Sequence, residues 1–302
     1  MKLVLFDDYR LGILREDGVV DASSLLDGPA DAAHVVDTLI ASWSSLRPRL
    51  DELAVSGTAR PLDEVQLRAP VPNPGKIMCM ATNFREGTDK PPLPLNAFLA
   101  SPEAVMDPGG TTVLTPHEFK ICHHEAELVC VISKDGHDIA EADAMEYVFG
   151  YTAGVDISER ASDSLNWGFL GKSGDGFKPI GPCIVTPDEL GDPHALQVRL
   201  SVDGVLRQDY NTSDMGHYIA ECIAWLSTLM TLRRGDLLFV GTNHQELGPI
   251  QDGETVEMSI ERIGSFQFHV ADPLKRSWPK GIDSSVGQSV RSRLEAPAPA
   301  AP

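Results

Sequence analysis

At 302 residues with 42% hydrophobic content, the chain is long enough to bury a full core, as one large domain or two unequal ones. Its 25 basic and 44 acidic residues give a formal charge of −19, which repels phosphate backbones and anionic lipid and so argues against nucleic acid or membrane as partners. No apolar run approaches the roughly 20 residues needed to span a bilayer, and the five cysteines (Cys79, Cys122, Cys130, Cys183, Cys222) form an odd set without C-x-x-C spacing. They read as reduced, buried thiols of a cytoplasmic protein.

Residues 1–70 read as a small N-terminal α+β domain. Lys2 to Phe6, Leu11 to Leu14 and Val19-Val20 are short strands, the last two joined by the hairpin signal Asp17-Gly18. Asp31 to Leu53 is patterned as helix, with Val35, Leu39 and Trp43 at four-residue spacing and Pro48 interrupting it near Arg47. The Pro- and Gly-rich stretch from Ala69 to Gly75 marks the boundary of a second domain, 71–275. There the pattern is mostly strand. Leu128 to Ile132 reads as a buried strand, Leu196 to Val202 alternates as a half-buried antiparallel one, and Asp203-Gly204 marks a tight turn. One amphipathic helix is expected within Ser213 to Leu232, on Ile219, Ile223, Leu226 and Met230. Residues 276–302, above all those from about Ser284 on, are polar and then Ala/Pro-rich, and are expected to form a disordered tail.

Glu125 and Glu127 enter the strand Leu128 to Ile132, and Asp156 follows Glu127 by 29 residues. At a strand's period of two, residues 125 and 127 project to one face. Two carboxylates crowded together raise each other's pKa unless a cation sits between them, and a hard divalent ion with oxygen ligands, Mg²⁺ or Mn²⁺, fits that need. On spacing alone, the solvated face of an edge strand fits the Glu-x-Glu pair as well.

A run of further motifs in fixed order supplies the context for this pair. It comprises Lys76 to Asn83-Phe84, then His124-Glu125 with Glu127, then Gly150-Tyr151-Thr152 through Asp156 and Ser158 to Arg160. Gly171-Lys172-Ser173, Asp175 to Phe177, Pro179 to Pro182, Asp203-Gly204 with Gln208, Arg234-Gly235-Asp236 and Gly241-Thr242 follow. Over roughly residues 72–270 the chain resembles the fumarylacetoacetate hydrolase family, whose members cleave, decarboxylate or isomerise small dicarbonyl acids. The resemblance implies an α+β, mainly β fold, a mixed β-sandwich or roll preceded by the small N-terminal domain. It also implies Glu125, Glu127 and Asp156 as metal ligands, Lys172 beside the metal-bound substrate oxygen, and a homodimer formed through the large domain. Gln208 and Thr242 become candidate contacts for a substrate carboxylate or carbonyl.

The chain departs from that pattern at the general base. Hydrolytic and decarboxylating relatives usually carry a histidine three positions after the aromatic of the Asn-aromatic pair, with an acidic partner three further on; here these are Gly87 and Lys90. Replacement bases are His244, His123 and His124, with Glu86 and Asp89 in the lid-like segment 85–97. Arg85 is a candidate clamp for a substrate carboxylate. The expected activity is a divalent-metal-dependent hydrolysis of a C–C bond in a small 1,3-dicarbonyl or 2-oxo acid. A decarboxylase or isomerase of the same fold needs no activated water, and Gly87 favours it; a catalytically silent metabolite-binding relative is the third reading.

Overall fold

The computed structural model describes residues 1–26, 31–160 and 167–296. Its first strands are β1 (Lys2–Phe6), β2 (Arg10–Arg15) and β3 (Gly18–Asp21), and the expected β2–β3 hairpin forms with its two-residue turn at Glu16-Asp17, one residue before the Asp17-Gly18 signal, so that Gly18 pairs with Arg15. Helices α1 (Val35–Ala41) and α2 (Trp43–Ser56) follow, then the short strands β4 (Ala59–Arg60) and β5 (Leu67–Arg68). The break expected at Pro48 falls instead at Ser42, whose amide closes α1 and whose carbonyl opens α2. Pro48 lies inside α2, where its missing N–H costs one backbone hydrogen bond.

Residues 1–70 were expected to stand apart, but they extend the large sheet. Strand β1 is apolar on both faces and so needs cover on both, and it pairs antiparallel with a distant strand through Lys2↔Val185 and Leu3↔Ile184. That sheet continues through β6 (Ile77–Met80), β7 (Ala97–Ala100), β11 (Ala126–Ile132), β12 (Val148–Val155) and β14 (Lys178–Val185), with β8 (Val105–Met106), β9 (Thr111–Val113), β10 (Ile121–His123) and β13 (Ser158–Arg160) between them in sequence. Helices α3 (Trp167–Leu170) and α4 (Pro187–Leu190) flank β14 in the chain.

The second sheet is antiparallel apart from one edge pair, and is built from β15 (Gln197–Val202), β16 (Val205–Asn211), β18 (Thr255–Ile260), β19 (Gly264–Ala271) and β9. Its β15–β16 hairpin turns at Asp203 (φ 49°) and Gly204 (φ 74°), the left-handed pair that a two-residue hairpin requires. Strand β17 (Leu237–Phe239) belongs to the first sheet, between β11 and β6, and helix α5 (Ile219–Leu229) precedes it. The helix starts later than the Ser213 to Leu232 pattern because Thr212–Asp214 forms a 3₁₀ turn capped by Asn211 and Tyr218 is extended.

The two sheets face each other, β15 against β11 and β18 against β12. On β11, Leu128, Cys130 and Ile132 fill the space between the sheets, while Val129 and Val131 join Leu39, Leu46 and Leu50 of α1 and α2 on the other side. The architecture is thus the expected mainly β sandwich. All five cysteines are free and buried, and no helix of the described residues is long and apolar enough to cross a membrane.

The expected tail is ordered over most of its described length. Helix α6 (Ser285–Glu295) buries Gly287, Val290 and Leu294, so its sparse apolar residues share one stripe instead of being scattered. Residues 297–302 lie outside the described residues.

Candidate active site

Strand register assembles the three carboxylates. Ala126 pairs with Val155 and Glu127 with Gly154, so Glu125 and Asp156 meet at the open end of the β11–β12 ladder, where the Asp156 amide donates to the Glu125 carbonyl at 2.8 Å. Glu125, Glu127 and Asp156 are all buried, and one oxygen from each lies within 4.8 Å of the other two.

Two of the three are already paired. Lys172 Nζ donates to Glu125 Oε2 at 2.6 Å and to Asp156 Oδ2 at 2.9 Å, and Lys178 Nζ donates to Asp156 Oδ1 at 2.6 Å. Arg160 pairs with Glu125 Oε1. Burial alone would raise Glu125, but Lys172 and Arg160 outweigh it and hold the group well below the usual carboxylate range. Burial would likewise lower Lys172, yet Asp156 and Glu125 keep it above the ordinary lysine value, an ammonium at neutral pH.

Glu127 differs. Its protein partner is the amide of Gly241, donating to Oε2 at 2.7 Å from a backbone with φ 94° that only glycine adopts freely. Burial and then the charges of Asp156 and Glu125 push its pKa well above the ordinary value. A buried carboxylate facing two others without a cation of its own is what a hard divalent ion relieves, so the donor set fits such an ion.

These groups open onto a cavity of about 700 Å³ whose lining also includes Thr82, Phe98, Thr242 and His244. His244 Nδ1 lies 2.6 Å from Glu86 Oε1, and the His244 amide donates to Glu86 Oε2 at 2.9 Å. Glu86 is fully buried on a left-handed backbone (φ 55°), a strained conformation for a non-glycine residue. A carboxylate at Nδ1 favours the tautomer with its proton there, which leaves Nε2 as the acceptor of a residue that lines the cavity. Two candidate bases, 158 residues apart, are therefore one histidine–carboxylate pair.

The other candidates fall elsewhere. His123 is buried between Asp283 Oδ2, at 3.0 Å, and the Arg160 guanidinium, and burial first, then Arg160, lowers its pKa to about 4. His124 is lowered to about 3, chiefly by burial, and its Nδ1 bonds Gln208 Oε1 at 2.9 Å. Asp89 is exposed and outside the cavity lining.

Gln208 and Arg85 do not line the cavity either. The Gln208 amide is consumed by protein: Oε1 accepts from the Ala126 amide, and Nε2 donates to Thr242 Oγ1 and to the Asn243 carbonyl, each at 2.9 Å. It thereby ties the loop bearing Thr242 to β11. Arg85 faces the turn at Asp214, to whose carbonyl its amide donates at 2.9 Å. The segment 85–97 carries no helix, as expected, and of its residues only Asn96 lines the cavity. Cations that the sequence reading gave no role are Arg160, Lys178, Lys120 and Arg293, of which all but Lys178 line the cavity. Lys178 carried a signal, a lysine heading the apolar strand β14.

A β-sandwich with a buried carboxylate triad, a lysine between two of its members and a histidine–carboxylate pair across one cavity defines a metal-binding enzyme scaffold. Residues 76–271 match the family model described as fumarylacetoacetate (FAA) hydrolase, C-terminal, and the chain belongs to that family of enzymes. It is 30% identical over 288 residues to a maleylpyruvate hydrolase of Aquipseudomonas alcaligenes, covering 89% of this chain and 99% of the relative. It is 33% identical over 260 residues to a mitochondrial oxaloacetate tautomerase of Xenopus laevis, covering 80% of this chain and 79% of the relative. Among solved structures, maleylpyruvate hydrolase from Sphingobium sp. SYK-6 in complex with manganese(II) and pyruvate superposes with a TM-score of 0.79 at 30% identity, over 90% of this chain and 99% of that one.

Proposed function

We propose that this protein hydrolyses the C–C bond of a small 2,4-dioxo acid. The observation that carries the reading is that His244, backed by Glu86, lines the same cavity as Glu125 and Glu127 of the carboxylate triad. It supplies the proton acceptor that Gly87 and Lys90 had removed.

A divalent cation, Mg²⁺ or Mn²⁺, held by Glu125, Glu127 and Asp156, supplies Lewis-acid stabilisation of the enolate that forms when the bond breaks. His244 Nε2 takes a proton from water, whose oxygen attacks the C4 carbonyl carbon, while Glu86 stabilises the resulting imidazolium. The C3–C4 bond then breaks, its electron pair passing through C3 to the C2 carbonyl oxygen, and His244 returns its proton to C3. The products are a carboxylic acid and a shorter 2-oxo acid, so atoms and charge balance. Lys172, held as an ammonium, adds a positive charge where the C2 oxygen becomes negative.

The reading includes a cytoplasmic homodimer. Supporting it are the free, buried cysteines and the exposed Leu99, Phe169 and Leu170 at and beside β7, the end strand of the large sheet. The test uses the Mn²⁺-loaded protein and acylpyruvates in H₂¹⁸O. Release of pyruvate with ¹⁸O in the acid product is expected. Enol–keto conversion of oxaloacetate without cleavage of any acylpyruvate would replace hydrolysis with tautomerisation, and no turnover together with no oxalate binding would remove both readings.

A further inference from the structure

The family model ends at residue 271, yet the cavity does not. Ser285, Val286, Ser289, Val290 and Arg293, one face of α6 at helical spacing, form part of its wall. The path to that helix is fastened along its length. Arg276 binds the Asp272 carboxylate and the carbonyls of Thr115 and His117, Trp278 stacks on Phe119 with 5.7 Å between ring centres, and Asp283 meets His123 at 3.0 Å.

The helix also touches the base. A Cβ on Gly287 would stand 2.7 Å from the His244 carbonyl oxygen, so only glycine permits this approach. Arg291 donates to the carbonyl of Glu86 at 2.7 Å. Helix α6 is thereby placed against both members of the His244–Glu86 pair, and its position and theirs are set together.

Two cations of the lining are left over. Arg160 and Lys172 are committed to the carboxylates, whereas Arg293 and Lys120 make no ion pair among the described residues. Both are exposed, so their charged ends are open to a ligand that enters the cavity.

Resting on the function proposed above, we infer that α6 is a substrate-selecting wall. Arg293, with Lys120, receives a second carboxylate at the far end of a dicarboxylic 2-oxo or 2,4-dioxo acid. Ser285 and Ser289 offer hydroxyls beside it. The chain thus supplies from outside the family-matched region the group that separates diacids from monoacids.

Calorimetry on the full-length, Mn²⁺-loaded protein tests this without turnover, using oxalate, 2-oxobutyrate and 2-oxoglutarate. The parent is expected to prefer 2-oxoglutarate to 2-oxobutyrate. Arg293→Gln should weaken 2-oxoglutarate about 10- to 100-fold, the value of a charge-assisted pair, while oxalate and 2-oxobutyrate stay within about twofold. Arg293→Lys should recover part of the loss, and Gly287→Ala, which pushes α6 off His244, should weaken the same ligand. Equal effects of Arg293→Gln on all three ligands, or none on 2-oxoglutarate, overturn the inference. Oxalate binding without a diacid preference in the parent overturns it alone, whereas failure of oxalate to bind overturns the metal-site function beneath it.

Discussion

Replacing Glu86 by Gln keeps the shape of the side chain and removes its charge. The Glu86 carboxylate receives three donors: His244 Nδ1 at 2.6 Å, the His244 amide at 2.9 Å and Gln245 Nε2 at 3.1 Å. A glutamine offers one oxygen and one NH₂. If its oxygen faces Nδ1, the NH₂ points at the buried His244 amide, which costs about 1–3 kcal/mol, and at the half-buried Gln245 Nε2, which costs less. If the amide is reversed, the NH₂ faces Nδ1 and selects the tautomer with its proton on Nε2, which abolishes the base. Either way the reactive arrangement is disfavoured, and kcat should fall about 10²- to 10⁴-fold, equivalent to about 2.7–5.4 kcal/mol at 1.36 kcal/mol per decade. The metal ligands are untouched, so Mn²⁺ affinity should hold. The assay is steady-state release of the 2-oxo acid from a substrate the parent cleaves, with calorimetry of Mn²⁺ alongside. A kcat within about threefold of the parent would refute the dyad and return the base to an unassigned group.

Glu127→Ala removes the ligand that no side-chain cation neutralises, so Mn²⁺ binding by calorimetry should become much weaker, and chelation of the parent should abolish activity reversibly; equal affinities in the two proteins would sink the triad. Light scattering at micromolar concentration should return about twice the 32.7 kDa chain mass, and a monomer mass would count against the homodimer. His194 predicts a pH dependence: its Nε2 accepts the Ile219 amide at 3.3 Å where α5 has no cap from its own Tyr218, and burial lowers its pKa. Because the folded pKa lies below the unfolded value of about 6.5, this contribution is present above that pH and lost as pH falls beneath it. Urea unfolding should therefore find His194→Gln less stable by about 1 kcal/mol at pH 7.5 and by less at pH 5.5, and a difference that grows on acidification would contradict the sign.

Legibility in the sequence followed the range of the interactions. Strands such as Leu128 to Ile132 were readable because burial on both faces leaves an unbroken apolar run, and the Asp203-Gly204 turn because its two-residue hairpin demands left-handed residues. The attachment of β1 to β14 was not, since Lys2 and Val185 are joined by register alone and neither strand names its partner. Helix α6 was misread because its composition is that of a tail. Three buried positions, Gly287, Val290 and Leu294, suffice to dock it, and glycine among them counts as a breaker in a sequence and as clearance in a structure.

At the site, a period of two put Glu125 and Glu127 on one face but fitted an edge strand equally well; the resemblance added Asp156, and the register of β11 against β12 brings the three carboxylates together. Glu86 and His244 were each recognisable as titratable groups in suspect loops, but their pairing depends on the left-handed turn at Glu86, on Arg291 holding its carbonyl and on Gly287 letting α6 close. Gln208 was placed on the substrate because an amide in a motif can serve either side of a cavity wall; its four hydrogen-bonding partners within the protein, at His124, Ala126, Thr242 and Asn243, put it behind that wall. The same logic separates the cations. Lys172, Lys178 and Arg160 pair with Glu125 and Asp156, which leaves Glu127 as the triad member with no side-chain cation in contact, and Arg293 and Lys120 as lining cations with no ion pair among the described residues.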